Sequence, residues 1–289
     1  DSTKLRAQNS KKNNFNQAKI DRHIAYIDKK LEEYTQALSE NDGDDIEKVQ
    51  GEIKKQQDRK DQYSEIEKQL KESGESQIST SDPESRQIVI RNNITEVAYN
   101  VQTTVDAKNN MPIDYKVTNQ NDSRAMGNMV QRAKSILGTN EFTVLYDKGY
   151  HTGSELKTAQ ELGIETIVAI PDVPATNQAP DHDYNYENFR YDSDSDTYTC
   201  PQGEILRTNG NWYKTHGRRN IFISFKQYKT KACKTCPARL KCTRSKTVRL
   251  IERSIYAENY ERNRKNAEEK EQLYRRRQAI AEHPFGTIK

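Results

Sequence analysis

Two short apolar runs, FTVLY at Phe142 to Tyr146 and ETIVAI at Glu165 to Ile170, constrain this chain more than any other feature. Each has the length and β-branched content of a buried strand. Between them, Ser154 to Leu162 reads as a helix stopped by Gly163, and Pro171 closes the second run. Strand, crossover helix and strand make the unit from which parallel sheets are built, so an α/β fold follows. Upstream, EVAYNVQTTV from Glu96 and MPIDYKV from Met111 alternate apolar and polar residues around Ala107-Lys108-Asn109-Asn110, which predicts a β-hairpin. Ser123 to Leu137 reads as a helix ending at Gly138, and Asp1 to Ala7 as a further strand.

Only 32% of the 289 residues are hydrophobic and the mean hydropathy is -1.11, so much of the chain must be solvated helix or loop. One such segment has apolar residues at Ile20, Ile24, Ile27, Leu31, Tyr34 and Leu38, spaced four, three, four, three, four as in a heptad seam. Asn41 to Asp45 breaks it, and a weaker stripe from Ile46 to Leu70 resumes, giving an antiparallel helical hairpin with its turn at Gly43. The plainest role for this hairpin is a spacer with solvated outer faces. Ser73 to Arg91 reads as a connecting loop, and a long helix is expected from Tyr256 to Ala281.

The second solvated segment is basic. From Arg207 to Arg253 the chain carries fourteen Lys and Arg against the single acid Glu252, although the net charge is only +4. Interleaved Trp212, Tyr213, Phe222, Phe225 and Tyr228 suit contacts to a DNA backbone, with Arg218, Arg219 and Lys234 as candidates. A merely solvated basic face is the competing reading. The four cysteines, Cys200, Cys233, Cys236 and Cys242, all lie in or beside this segment. In a reducing compartment they argue for a tetrahedral thiolate zinc site resembling a zinc ribbon, against the alternative of four free thiols in packed clusters. His182 and His216 read as surface residues.

No apolar run reaches about eighteen residues and no leader is visible, so a soluble, cytoplasmic protein is expected. The chain opens on Asp1 without an initiator Met and reads as a fragment.

Asp147 follows FTVLY directly, at the carboxyl end of a strand, where α/β sheets hold ligands, and Gly149 lets the backbone turn there. Taken alone, such an acid is as often a cap or turn former. Glu282 stands in the run YRRRQAIAEHPFGTIK with Tyr274, Arg277 and Lys289, company that suits a metal held against a phosphodiester. With Asp1, these acids could hold two divalent ions about 4 Å apart. Tyr150 and His151 are expected to line that site.

DSTKLRAQNS at Asp1, VAYNVQTTVD at Val97, VTNQND at Val117, VLYDKGYHTG at Val144, YTCPQGEIL at Tyr198 and the run from Tyr274 carry a family resemblance. Together, and in order, they resemble bacterial insertion-sequence DDE transposases of the Y-R-E-K signature class. The resemblance implies an RNase H-like mixed sheet with flanking helices, interrupted by the helical hairpin and by the cysteine-rich, zinc-ribbon-like insertion. Residues 1–14 would supply the first core strand, 15–74 the hairpin, 75–171 the core, 172–253 the basic insertion and 254–289 the helix with the third acid. It implies Asp1, Asp147 and Glu282 as catalytic ligands of two Mg2+ (or Mn2+) ions, and Tyr274, Arg277 and Lys289 as phosphate contacts. The implied activity is phosphodiester hydrolysis at transposon ends followed by strand transfer. Double-stranded DNA is the partner, with a homodimer on the DNA and a nucleoid-associated cytoplasmic location. The implied fragment lacks the family's N-terminal DNA-binding region. Three details differ from the family pattern: Ser2 replaces Gly, four residues rather than three separate Arg277 from Glu282, and Asp1 begins the sequence without the rest of its expected strand. The rival readings are an inactive or domesticated zinc-dependent DNA-binding protein and a coiled-coil scaffold.

Overall fold

The computed structural model describes residues 1–40, 46–91, 94–216 and 222–281. The chain divides into two compact units, Asp1–Ala125 with Ala279–Lys289, and Met126–Gln278. The architecture is mixed α/β, as the sequence predicts.

The first unit contains β1 (Ser2–Arg6), β2 (Asn14–Phe15), α1 (Gln17–Glu40), α2 (Ile46–Ser73), β3 (Ile78–Ser79), β4 (Arg86–Arg91), β5 (Ile94–Asp106) and β6 (Met111–Thr118). The long β5 is its spine. β1 runs antiparallel along one edge, from Ser2 opposite Gln102 to Arg6 opposite Ala98. β4 and β6 share the other edge, β4 against the first half of β5 and β6 against the second. The β5–β6 turn forms as predicted: the Asp106 carboxylate accepts from the N–H groups of Lys108 and Asn109. Asn110 takes a φ of 53°, a left-handed conformation that Asn tolerates well.

β4 lies inside the stretch expected to be a connecting loop, Ser73 to Arg91. Its IVI core does not alternate with polar residues, yet Ile88 is buried because the first half of β5 offers an open edge.

The helical pair follows its heptads. Ile20 and Ile27 are fully buried, and Phe15, Ile24, Tyr63, Ile66, Leu70 and Ile78 pack with Ile20 at the base. Gln17 bonds Glu67 at 2.8 Å and Lys60 pairs with Asp28 at 2.7 Å, so the helices run antiparallel. The His23 ring stacks on Tyr63 at 4.7 Å. Lys19 locks the base by donating to the carbonyls of Lys11, Lys12 and Asn14. The predicted turn at Gly43 lies outside the described residues.

The second unit opens with α3 (Met126–Leu137), β7 (Thr143–Tyr146), α4 (Gly153–Glu161) and β8 (Glu165–Val168). β7 and β8 pair in parallel, Thr143 opposite Glu165 through Tyr146 opposite Val168, with α4 as the crossover. Next come β9 (Arg190–Asp192), β10 (Thr197–Thr199) and β11 (Ile205–Arg207), an antiparallel sheet, and β12 (Tyr213–His216) and β13 (Phe222–Tyr228). α5 (Arg239–Cys242) precedes β14 (Ile251–Ser254), which pairs with β13. Phe189, Tyr198, Leu206, Tyr228 and Ile251 give this basic part of the chain an aromatic core of its own.

The helix expected to be continuous from Tyr256 to Ala281 is broken. α6 (Ala257–Glu269) and α7 (Glu271–Arg275) are separated by Lys270, whose φ, ψ of -122°, 33° are not helical. The break falls where the Lys270 ammonium bonds both oxygens of Glu165 at 2.6 Å. Among the described residues, no helix is long and apolar enough to cross a membrane.

Candidate functional site

The loop after β7 is built around Asp147. Its Oδ1 accepts the Gly149 N–H at 2.7 Å and caps the short 3-10 turn Lys148–Tyr150. The turn-forming role weighed for this acid is therefore real, and it uses one oxygen. Among the described residues no cation pairs with Asp147; the adjacent Lys148 lies 3.7 Å from Asp172 instead. Tyr150, expected to line the site, is fully buried and packs on Tyr146 with ring centroids 4.6 Å apart. It anchors the loop from below and is not a lining residue.

His151 packs on Tyr260 at 4.9 Å. Burial, and then the charge of Arg264, lower its pKa, so the ring is neutral at pH 7. The Tyr260 hydroxyl accepts the Gly153 N–H at 2.8 Å. Gly153 is required here, because a Cβ would collide with Tyr256.

Asp1 belongs to the other unit. Its α-ammonium donates to the Thr103 carbonyl at 2.9 Å, its carbonyl accepts the Thr103 N–H at 2.8 Å, and its Oδ1 accepts the Ser2 N–H at 2.9 Å. Close by is an acid that sequence reasoning missed. The Asp122 carboxylate accepts from Lys4 Nζ at 2.6 Å, Ser2 Oγ at 2.7 Å, Asn100 Nδ2 at 2.8 Å and Gln102 Nε2 at 2.9 Å. Burial alone would push its pKa up, but the Lys4 charge and these bonds outweigh it and hold the group at about 2. The only signal for it was its place in VTNQND.

The four cysteines come together. Cys200, Cys233, Cys236 and Cys242 line one cavity of about 30 Å³ with Phe189, Arg239 and Arg249 among its other walls. All four are free thiols. Burial pushes the Cys242 thiol up; Arg249 opposes this and the other three thiols add to it. Among the described residues, no three His, Cys, Asp or Glu side chains are grouped closely enough to hold a metal ion. The cysteines thus share a cavity without forming a finished ligand set. His182 contacts Asn185 and is not part of the cavity wall.

The basic segment is not uniformly a surface. Arg253 is buried, stacks over Tyr191 at 3.7 Å and pairs with Glu261. Lys226 pairs with Asp196 at 2.6 Å, and Asp196 also accepts from the hydroxyls of Tyr191 and Tyr228. Lys234 is exposed. Arg277 lies over the Tyr274 ring at 5.9 Å, so two of the predicted phosphate contacts are neighbours. Arg218, Arg219, Glu282 and Lys289 lie outside the described residues.

Residues 199–289 match the family model described as a transposase DDE domain. Nothing among curated proteins matches the chain, and no solved structure does. The matched stretch takes in all four cysteines, the helix α6 and the run from Tyr274, and it supports a DDE transposase, an enzyme family whose substrate is DNA.

Proposed function

We propose that this chain is a DDE transposase that cleaves DNA at transposon ends and joins the freed 3′-hydroxyl to target DNA, with Asp1, Asp147 and Glu282 as the metal-holding acids. The observation that carries the reading is Asp147 at the carboxyl end of β7, the first strand of a parallel pair, in a chain whose C-terminal part matches the family. An RNase H-like core of the Y-R-E-K class is consistent with two features described above. The strand following Asp1 leads an antiparallel ladder, and the strand preceding Asp147 leads a parallel pair with a helical crossover. In this reading 1–14 and 75–171 form the core, 15–74 and 172–253 are insertions, and 254–289 carries the third acid.

Carboxylate oxygens suit hard divalent cations such as Mg2+ or Mn2+. Asp147 fits that use: one oxygen is fixed by Gly149, and among the described residues no cation pairs with the carboxylate, the adjacent Lys148 lying against Asp172 instead. Two bound ions would activate the attacking oxygen and stabilise the leaving one. The chain's own contribution is to fix the acids and hold the DNA. Tyr274, Arg277, Lys289, Arg218, Arg219 and Lys234 would contact phosphates, with the chain acting as a homodimer on double-stranded DNA in the cytoplasm. A structural zinc at Cys200, Cys233, Cys236 and Cys242 belongs to the same reading. Thiol rotation within their shared cavity is what a four-sulfur shell at about 2.3 Å requires.

The test is cleavage of transposon-end DNA by Asp147→Asn and Glu282→Gln. Each is expected to abolish cleavage in Mg2+ while DNA affinity stays near the unmodified level. Full cleavage by either variant sinks the metal assignment, and tight DNA binding without any metal-dependent cleavage favours the domesticated DNA-binding reading.

A further inference from the structure

α6 is held in place by polar bonds more than by an apolar face. Its buried residues are Ala257 and Asn263, and Asn263 is only 1% exposed. The Asn263 carboxamide faces the edge of β8 that β7 leaves open. The Val168 N–H donates to Asn263 Oδ1 at 2.8 Å, and Asn263 Nδ2 donates to the Val168 carbonyl at 2.8 Å. One side chain thus supplies the acceptor and donor that a neighbouring strand would have supplied. Farther along the same face, Asn266 donates to the Thr166 carbonyl at 3.1 Å and Lys270 holds Glu165.

Val168 is the β-partner of Tyr146, and Tyr146 immediately precedes Asp147. Asn263, Val168 and Tyr146 therefore lie on one line across the sheet, ending next to the acid. One turn earlier, Tyr260 takes the Gly153 N–H and packs on His151, so the same helix also holds the far end of the Asp147 loop. Apolar burial is non-directional, whereas a two-bond amide contact is made at one position along the strand only. A slip of one helical turn would move the residues that follow by about 5.4 Å, more than the roughly 4 Å between paired catalytic metals.

We propose that Asn263 is a positioning residue: its carboxamide sets the register of the helix leading to Tyr274 and Arg277 against the strand end that carries Asp147. The proposal rests on the reading of Asp147 as a catalytic metal ligand.

The experiment compares Asn263→Ala, Asn263→Asp and a core control, Val130→Ala, in Mg2+-dependent DNA cleavage and in Mn2+ binding followed by electron paramagnetic resonance. Asn263→Ala is expected to raise the half-saturating Mg2+ or Mn2+ by about 10-fold or more, the usual effect of losing a residue that orients a ligand. DNA affinity should remain near that of the unmodified chain, and Val130→Ala should lower the melting temperature without moving the metal midpoint. Asn263→Asp adds a signature. Its protonated carboxyl can still accept from the Val168 N–H and donate to the Val168 carbonyl, whereas the carboxylate repels that carbonyl. Its defect relative to the unmodified chain should therefore shrink between about pH 7.5 and about pH 5.5, since burial raises a carboxyl pKa. Should Asn263→Ala not fold, Asn266→Ala, which loses a single bond, carries the same readout beside Asn263→Asp.

Equal metal midpoints for the Asn263 variants and Val130→Ala would overturn the proposal while leaving Asp147's role intact. Undiminished cleavage by Asp147→Asn, or no metal binding by the unmodified chain, would sink the catalytic reading and the proposal with it.

Discussion

Asp122 shows how much a single residue can organise here. Four side chains from β1 and β5 donate to its carboxylate, and Lys4 neutralises it. Its pKa is lowered to about 2 against about 4 in an unfolded chain, so the ionised form contributes about 2.5 kcal/mol of stability. The sign follows from the depressed value: the contribution is fully present above about pH 4 and is lost as pH falls through about 2. Asp122→Asn keeps the shape but leaves the Lys4 charge without its partner. Urea unfolding should show the variant less stable than the unmodified chain at pH 7 by about 2 to 3 kcal/mol, with the gap closing towards pH 2. A gap that stays constant with pH would show that the carboxylate does not carry this stability. Beyond its place in VTNQND, the local sequence does not mark Asp122, because its partners are brought together by strand pairing over long separations. Asp147 was legible for the opposite reason: its strand, its cap and its glycine are all adjacent in sequence.

Periodic elements were readable, and elements whose environment decides them were not. The helical pair formed with Ile20, Ile24 and Ile27 turned inward because a heptad repeat carries its own packing instruction, and the β5–β6 hairpin formed around its turn residues. β4 was hidden because its apolar residues gain a buried face only once β5 offers an edge. The break at Lys270 was hidden because it depends on Glu165, far away in sequence. The cysteine segment lies between these cases. Its thiols were recognised from spacing, but the aromatic core of Phe189, Tyr198, Leu206, Tyr228 and Ile251 was not, and Cys200 and Cys242 pack against it. That core makes the zinc proposal a quantitative question about this element. Elemental analysis of the purified chain should find about one zinc per molecule, and Cys236→Ser should lose it, since a tetrahedral site tolerates few missing thiolates. Chelation should lower the melting temperature of the unmodified chain and leave that of Cys236→Ser unchanged. A zinc-free chain with full stability would leave the aromatic core as the sole support of the element.

Over the whole molecule, charge placement matters more than the net charge of +4. The basic run from Arg207 to Arg253 reads as one continuous DNA-facing stretch, yet the fold sorts it into two populations. Lys226 and Arg253 are tied to Asp196 and Glu261, next to buried tyrosines, and hold the segment together. Lys231 and Lys234 are exposed on the 3-10 turn that carries Cys233. This sorting was not legible, because an internal ion pair and a surface cation look alike along a sequence. The two populations differ in how DNA affinity should respond to salt. Each phosphate neutralised by a surface cation releases counterions and steepens the slope of log affinity against log salt by about 0.9. Lys231→Gln and Lys234→Gln should each flatten that slope by about this amount, with melting temperature unchanged. Lys226→Gln should do the reverse, lowering the melting temperature by freeing Asp196 while leaving the slope nearly as it was. Fluorescence anisotropy over a salt series, paired with thermal unfolding, measures both quantities in the intact chain. A slope that falls for Lys226→Gln as much as for Lys234→Gln would place the DNA across the Asp196 side of the segment rather than over the cysteine turn.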